Sequence, residues 1–195
     1  MISFRDRFLF ALLILATFAF AASAARHSAA YVSMDKKIAT LEANATDTLS
    51  QPQQTTLTQD ELNAYIAEGG VQVPKGLSDI KFALTAGSVQ AASKVDFDQI
   101  SEGHGGGNPI FSALFSGMHD VEVEAQASGT SGEGTVTIQS VKLDGVTVPK
   151  SALQYLIEHY VKPKYPQAGM TSTFQLPARI DSAEVQQGQV VLTQK

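Results

Sequence analysis

The strongest constraint on the fold is a period-two alternation between residues 79 and 143. In DIKFALTAG (79–87), Ile80, Phe82 and Leu84 alternate with other residues. In SVQAASKVDFDQ (88–99), Val89, Ala91, Ser93, Val95 and Phe97 alternate with Gln90, Ala92, Lys94, Asp96 and Asp98. In DVEVEAQAS (120–128), Val121, Val123 and Ala125 share one side. Successive side chains of a strand point to opposite faces, so this pattern implies strands with one buried face and one wet face. Ala86-Gly87 joins the first two strands as a hairpin. In TVTIQSVKL (135–143), Val136 and Ile138 lie in one phase and Val141 and Leu143 in the other. That slip predicts a β-bulge near Ser140 and a bent strand. GTSGEG (129–134) and Asp144-Gly145 turn the chain. FQLPARIDSAEV and GQVVLTQ read as two closing strands around Gln187-Gly188.

Helical spacing interrupts the strands. Tyr31, Met34, Ile38, Leu41 and Ala45 predict a helix over 29–43, followed by a polar link through QPQQ. In TLTQDELNAYIAEGG, Thr58 and Glu61 form a capping box, and Leu57 and Leu62 are placed as a hydrophobic staple. Leu62, Tyr65 and Ile66 make the apolar face, and Gly69-Gly70 ends the helix. Ser151 and Gln154 read as a second capping box, opening a helix with Leu153, Leu156, Ile157, Tyr160 and Val161 on its apolar face and Pro163 at its end. Strands and helices do not alternate as βαβ units. The expected class is α+β: a curved antiparallel sheet wrapped on one or two amphipathic helices, half-barrel-like.

The first residues carry an address. MISFRDR supplies Arg5 and Arg7, Phe8 to Phe20 is an unbroken apolar run, and Ala22 and Ala24 stand at small-residue cleavage positions. This is the layout of a secretory signal peptide. The run is shorter than the ~20 residues a membrane span needs. Extended to Ala25 it could instead serve as an uncleaved anchor. Three segments are therefore expected: 1–24 as signal peptide or anchor, 25–56 as helix and polar linker, and 57–195 as the α+β domain. The protein is expected to be exported, periplasmic or extracellular, either free or tethered to the inner membrane by residues 8–25. No cysteine is present, so neither disulfides nor a lipoprotein thioether anchor can form. Net charge is −5, and loss of Arg5, Arg7 and Asp6 on cleavage would make the body more acidic. That balance argues against nucleic acid as a partner.

Motifs for chemistry are thin. GHGGG (103–107) is similar to the oxyanion loop of esterases, but no G-x-S-x-G nucleophile elbow accompanies it. Ser33-x-x-Lys36 and Ser78-x-x-Lys81 match S-x-x-K without its companion motifs. His27, His104, His119 and His159 have no i,i+4 pairing and no carboxylate cluster, so no metal or other cofactor is expected. Asp96 and Asp98 belong to the wet face of a strand. No catalytic residue is assigned.

What remains is an inward apolar set: Ile80, Phe82, Leu84, Val95, Phe97, Val121 and Val123 with Leu62, Tyr65, Ile66, Leu153, Leu156, Ile157 and Tyr160 of the two helices. It either fills an ordinary core or leaves a long groove between sheet and helix. Read as a groove, its ligand-binding wall is Leu62, Tyr65, Ile66, Phe82, Leu84, Phe97, Leu153, Leu156, Ile157 and Tyr160.

Three stretches resemble the tubular lipid-binding (TULIP-like) superfamily of exported bacterial proteins, in particular its LmeA-, YceB- and YpmS-like families. LTQDELNAYI (57–66) is similar to their opening helix. VKLDGVTVPKSALQYLIEHYV (141–161) is similar to their strand, Val-Pro segment and second helix. FQLPARIDSAEVQQGQVVLTQ (174–194) is similar to their closing hairpin. The resemblance implies a half-barrel sheet around a helix, a channel for acyl chains and no catalytic residues. GHGGGNPIFSALFSGMH (103–119) matches nothing in that pattern. Its glycines, Gly105 and Gly106 among them, free the backbone, and Ile110, Phe111, Leu114 and Phe115 then recur at helical spacing. The segment is either a lid whose residues 110–118 touch a membrane or a surface crossover that completes the core. The expected function is non-enzymatic holding of a lipid or another apolar small molecule. The alternative is a structural or protein-interaction module of the cell envelope with a filled core.

Overall fold

The structure is a computed structural model and describes residues 27–46, 51–101, 116–162 and 166–195. Among these residues it comprises nine strands in one antiparallel sheet, which does not close, and four helices. The elements are α1 (Ala29–Thr46), β1 (Gln53–Thr58), α2 (Gln59–Ala67), β2 (Leu77–Thr85), β3 (Ser88–Asp96), α3 (Phe97–Ser101), β4 (Met118–Thr130), β5 (Glu133–Leu143), β6 (Val146–Thr147), α4 (Lys150–Leu156, continued as a π-helical turn over Ile157–Val161), β7 (Thr171–Gln175), β8 (Ile180–Gln186) and β9 (Gln189–Gln194). The α+β class and the antiparallel sheet agree with the alternation. The apolar run before Ala25 and the lid residues Gly105, Gly106, Ile110, Phe111, Leu114 and Phe115 lie outside the described residues. Among the described residues, no helix is long and apolar enough to cross a membrane.

The sheet runs β1-β9-β8-β4-β3-β2, with β5 on the other edge of β4 and both β6 and β7 on the far edge of β5. Four hairpin turns carry positive-φ residues. Gly87 and Gly188 serve β2–β3 and β8–β9, while Ser131-Gly132 and Asp144-Gly145 place two consecutive residues at positive φ. The latter are type I′ turns, whose twist suits a two-residue hairpin. The predicted bulge is present. Glu124 pairs with Ser140 but Ala125 pairs with Ile138, so Gln139 is the extra residue. This is the physical cause of the phase slip. β4 changes partners along one edge: it pairs with β3 as far as Gln126, then with β8 at Ser128 and Gly129. The β2–β3 turn sits at that switch, with Gly87 accepting from the Ala127 amide and donating to Val185.

One cluster forms the main core. Met34, Ile38 and Leu41 of α1 and Leu62, Tyr65 and Ile66 of α2 pack with Ile80, Phe82 and Leu84 of β2 and with Ile180, Val185, Val190 and Leu192 of β8 and β9. Helix α1 and strand β1 therefore pack with the same core as the rest of the sheet. The stretch read as a polar link, QPQQ, runs into β1, which pairs along its length with β9.

Other local expectations are corrected. Helix α1 runs on to Thr46. Strand β3 stops at Asp96, whose carboxylate accepts from the Asp98 and Gln99 amides and the Gln99 side chain. That cap turns Phe97 from a strand residue into the first residue of α3. Ser151 does not cap α4. Pro149 stands at the cap and its carbonyl accepts from Leu153, so the helix begins two residues earlier and Ser151 falls inside the first turn. FQLPARIDSAEV is two strands, broken at Leu176–Arg179, where Ala178 and Arg179 both have positive φ.

Candidate functional site

The capping box at Thr58 grows into a charged clamp. Glu61 is buried, yet it accepts from the Thr58 amide (2.8 Å), the Ser33 hydroxyl (2.5 Å) and the Lys37 ammonium (2.7 Å to each oxygen). Lys37 also donates to the Thr56 carbonyl. Burial pushes the Glu61 pKa up, but the hydrogen bonds from Lys37, Ser33 and Thr58, together with the Lys37 charge, outweigh it and hold the carboxyl below its ordinary 4.5. Ser33, which opened one S-x-x-K match, is thus a donor to a carboxylate. Its partner cation is Lys37, four residues on and on the same helix face.

Helix α2 also guards the edge of the sheet. Asn63 donates to the Phe82 carbonyl (2.9 Å) and accepts from the Phe82 amide (2.7 Å), so its amide replaces a neighbouring strand. Gln59 accepts from the Leu84 amide, and the Gly188 amide donates to the Leu84 carbonyl. An edge covered in this way is not open for pairing with another chain.

The residues predicted as a groove wall divide in the structure. Leu62, Tyr65, Ile66, Phe82 and Leu84 meet in the main cluster and are buried there. Tyr65 is fully buried, and a Cβ at Gly70 would overlap its ring. Leu153 and Ile157 are buried outside that cluster, and Leu156 is half-buried. Phe97 stands edge-on to His119 at the opposite end of β3 from the Gly87 turn. The Tyr160 side chain lies outside the described residues.

The apolar cavity lies elsewhere, where β4 changes partners. Its volume is about 60 Å³. Its walls come from Leu57, Leu62, Val89, Ala127, Val136, Phe174, Leu176, Ala183, Val185, Val190 and Leu192, with Ser128, Thr135 and Pro177 completing them. Only Leu62 was foreseen as lining. Small residues let its walls pack closely: Gly129 pairs with Gly134 on one side and with Ala183 on the other. A Cβ at Gly134 would overlap the Phe174 ring, and one at Gly129 would press on Leu176 and Ala183. The sequence signal for this site was the pair of glycines flanking the Ser131-Gly132 turn, together with the FQLP phrase. Neither stands out without the pairing register.

Of the described histidines, His159 stacks on Tyr155 and contacts the Tyr155 carbonyl through Nδ1, and His27 stacks on Tyr31. His119 lies between an Asp144 carboxylate oxygen (2.6 Å) and the Ser116 carbonyl (2.9 Å). His104 is outside the described residues. Among the described residues, no three His, Asp or Glu side chains gather as a metal site. Comparison of the chain with protein-family models, with curated proteins and with solved structures found no match in any of the three.

Proposed function

We propose that the protein is an exported, non-enzymatic binding protein that holds an apolar ligand, such as the acyl chain of a lipid, in the cavity at the β4–β5–β8 junction. The observation that carries the reading is the chemistry of the lining: mostly aliphatic and aromatic side chains, drawn from seven strands, and no charged group. In this reading the bulge at Gln139 helps curl the sheet into a half-barrel around α1 and α2, as the TULIP-like resemblance implies. Its volume favours a second reading. Small-molecule pockets usually enclose ~300 Å³ or more, and this cavity is about 60 Å³. A ligand-free envelope module with a filled core would have such a void. Binding therefore requires the walls to part.

Native mass spectrometry of the exported protein, followed by organic extraction, separates the readings. Recovery of stoichiometric lipid, lost in a folded Ala183→Leu variant that fills the cavity, supports binding. A bare protein mass that takes up neither added fatty acid nor phospholipid leaves the interaction module.

A further inference from the structure

We propose that His119 is a pH-operated latch: protonated, it bridges the Ser116 carbonyl to the Asp144 carboxylate, and on losing its proton it must release one of them. The argument is a count of donors. An imidazolium has two N–H groups, and a neutral imidazole has one. Both ring nitrogens of His119 face groups that only accept: Asp144 Oδ2 at 2.6 Å and the Ser116 carbonyl at 2.9 Å. Deprotonation therefore leaves one nitrogen lone pair pointing at an oxygen. The bond to the carboxylate is the shorter and is charge-assisted, so the neutral ring keeps Nδ1–H on Asp144 and releases Ser116.

The surroundings hold the latch closed at low pH. The hydrogen bond to Asp144, then that to Ser116, raise the His119 pKa above its ordinary 6.5, against partial burial. The Asp98 carboxylate on α3 adds its charge in the same sense. Asp120, next in β4, donates its amide to Asp144 Oδ1 and accepts from the Asp144 amide, so the carboxylate is held in place from a second direction. The cation across the strand pair, Lys94, sits opposite Asp120 and extends to Asp79 at 3.6 Å. The Phe97 ring contacts the imidazole edge-on. What the latch fastens is the junction of three chain segments. Ser116 and Gly117 lead into β4, Asp144 lies in the β5–β6 turn, and the Gly117 carbonyl accepts from the first amide of α3, that of Phe97.

The test is an NMR titration of the full chain, following the His119 ring together with the Gly117 and Phe97 amides. The expected result is a His119 midpoint above 6.5, with both amides moving at that same midpoint. In Asp144→Asn the midpoint should fall, and in His119→Gln the amides should no longer titrate there. A midpoint at or below 6.5, or amides that ignore the His119 transition, would overturn the latch. Because ring and amides are read in the native state, a loss of stability in either variant does not affect the wild-type result.

Discussion

The Asn63 side chain makes a specific energetic claim. It alone meets both backbone polar groups of Phe82, a residue only 4% exposed. Asn63→Ala leaves that N–H and that C=O without their partner. An orphaned buried backbone group costs roughly 1–3 kcal/mol, so the gross loss is about 2–4 kcal/mol after allowing for water at a half-buried site. Alanine favours the helix interior over asparagine by about 0.5 kcal/mol, which offsets a little. The expected net loss is about 2–3 kcal/mol, a large share of the ~5–15 kcal/mol that holds a domain together. Urea denaturation followed by far-UV circular dichroism should show a lower midpoint at unchanged slope. Hydrogen exchange should localise the effect, with the Phe82 amide losing protection before the β3 and β4 amides do. Asn63→Asp keeps the acceptor for the Phe82 amide but sets an anionic oxygen against its carbonyl, so it should lose at least as much as alanine. The freed edge should also raise aggregation. A loss under about 0.5 kcal/mol, the range of an ordinary surface substitution, would show that the amide is not replacing a strand.

Glu61→Gln removes the counter-charge of Lys37 and should cost about 1–3 kcal/mol at neutral pH. Because the folded pKa of Glu61 lies below 4.5, its contribution is present above that value and is lost as pH falls through the folded pKa. The difference between wild type and variant should shrink in acid, which pH-dependent urea curves would show. Gln194 is fully buried, donates to the Leu41 and Ala178 carbonyls and accepts from Asn44. Gln194→Leu should cost about 2–4 kcal/mol by orphaning the two carbonyls, read as a lower thermal midpoint. Gly134→Ala should cost about 1–3 kcal/mol, because its methyl displaces the Phe174 ring; a neutral result in urea would mean that the ring moves freely.

Features that the sequence revealed rest on local physics. The capping box at Thr58 and Glu61, the glycine turns and the phase slip at Gln139 are each set within a few residues, so they can be read without knowing the fold. β1 was missed because QQTT offers no apolar alternation; Leu57 is its only aliphatic residue, and its partner lies at the far end of the chain. Phe97 continued the alternation in composition, and only the Asp96 cap shows that the strand has ended. Ser151 and Gln154 satisfied a spacing, but Pro149 already held the cap position. The cavity was the least legible feature. Its lining is drawn from seven strands and one helix, and it depends on the register that stacks Gly129, Gly134 and Ala183 side by side.

That placement changes where a ligand would enter. A groove between helix and sheet would require α2 to stand off β2, but the two are fastened by Asn63, by Gln59 and by the buried faces of Tyr65, Phe82 and Leu84. The wall with most freedom is the opposite one. Phe174 and Leu176 are half-buried, and β7 pairs with β5 alone. The link to β8 holds Ala178 and Arg179 at positive φ, a conformation that costs a non-glycine residue ~1 kcal/mol or more. A shift of the link that returns these residues to negative φ would relieve that strain. Widening the cavity toward Phe174 and Leu176 loosens only the outer side of the main cluster, against which Leu176 packs, and does not require α1 or α2 to move. The two functional readings therefore differ in one strand. A filled core needs β7 only as cover, whereas a binding cavity needs it to move while the helices stay in place.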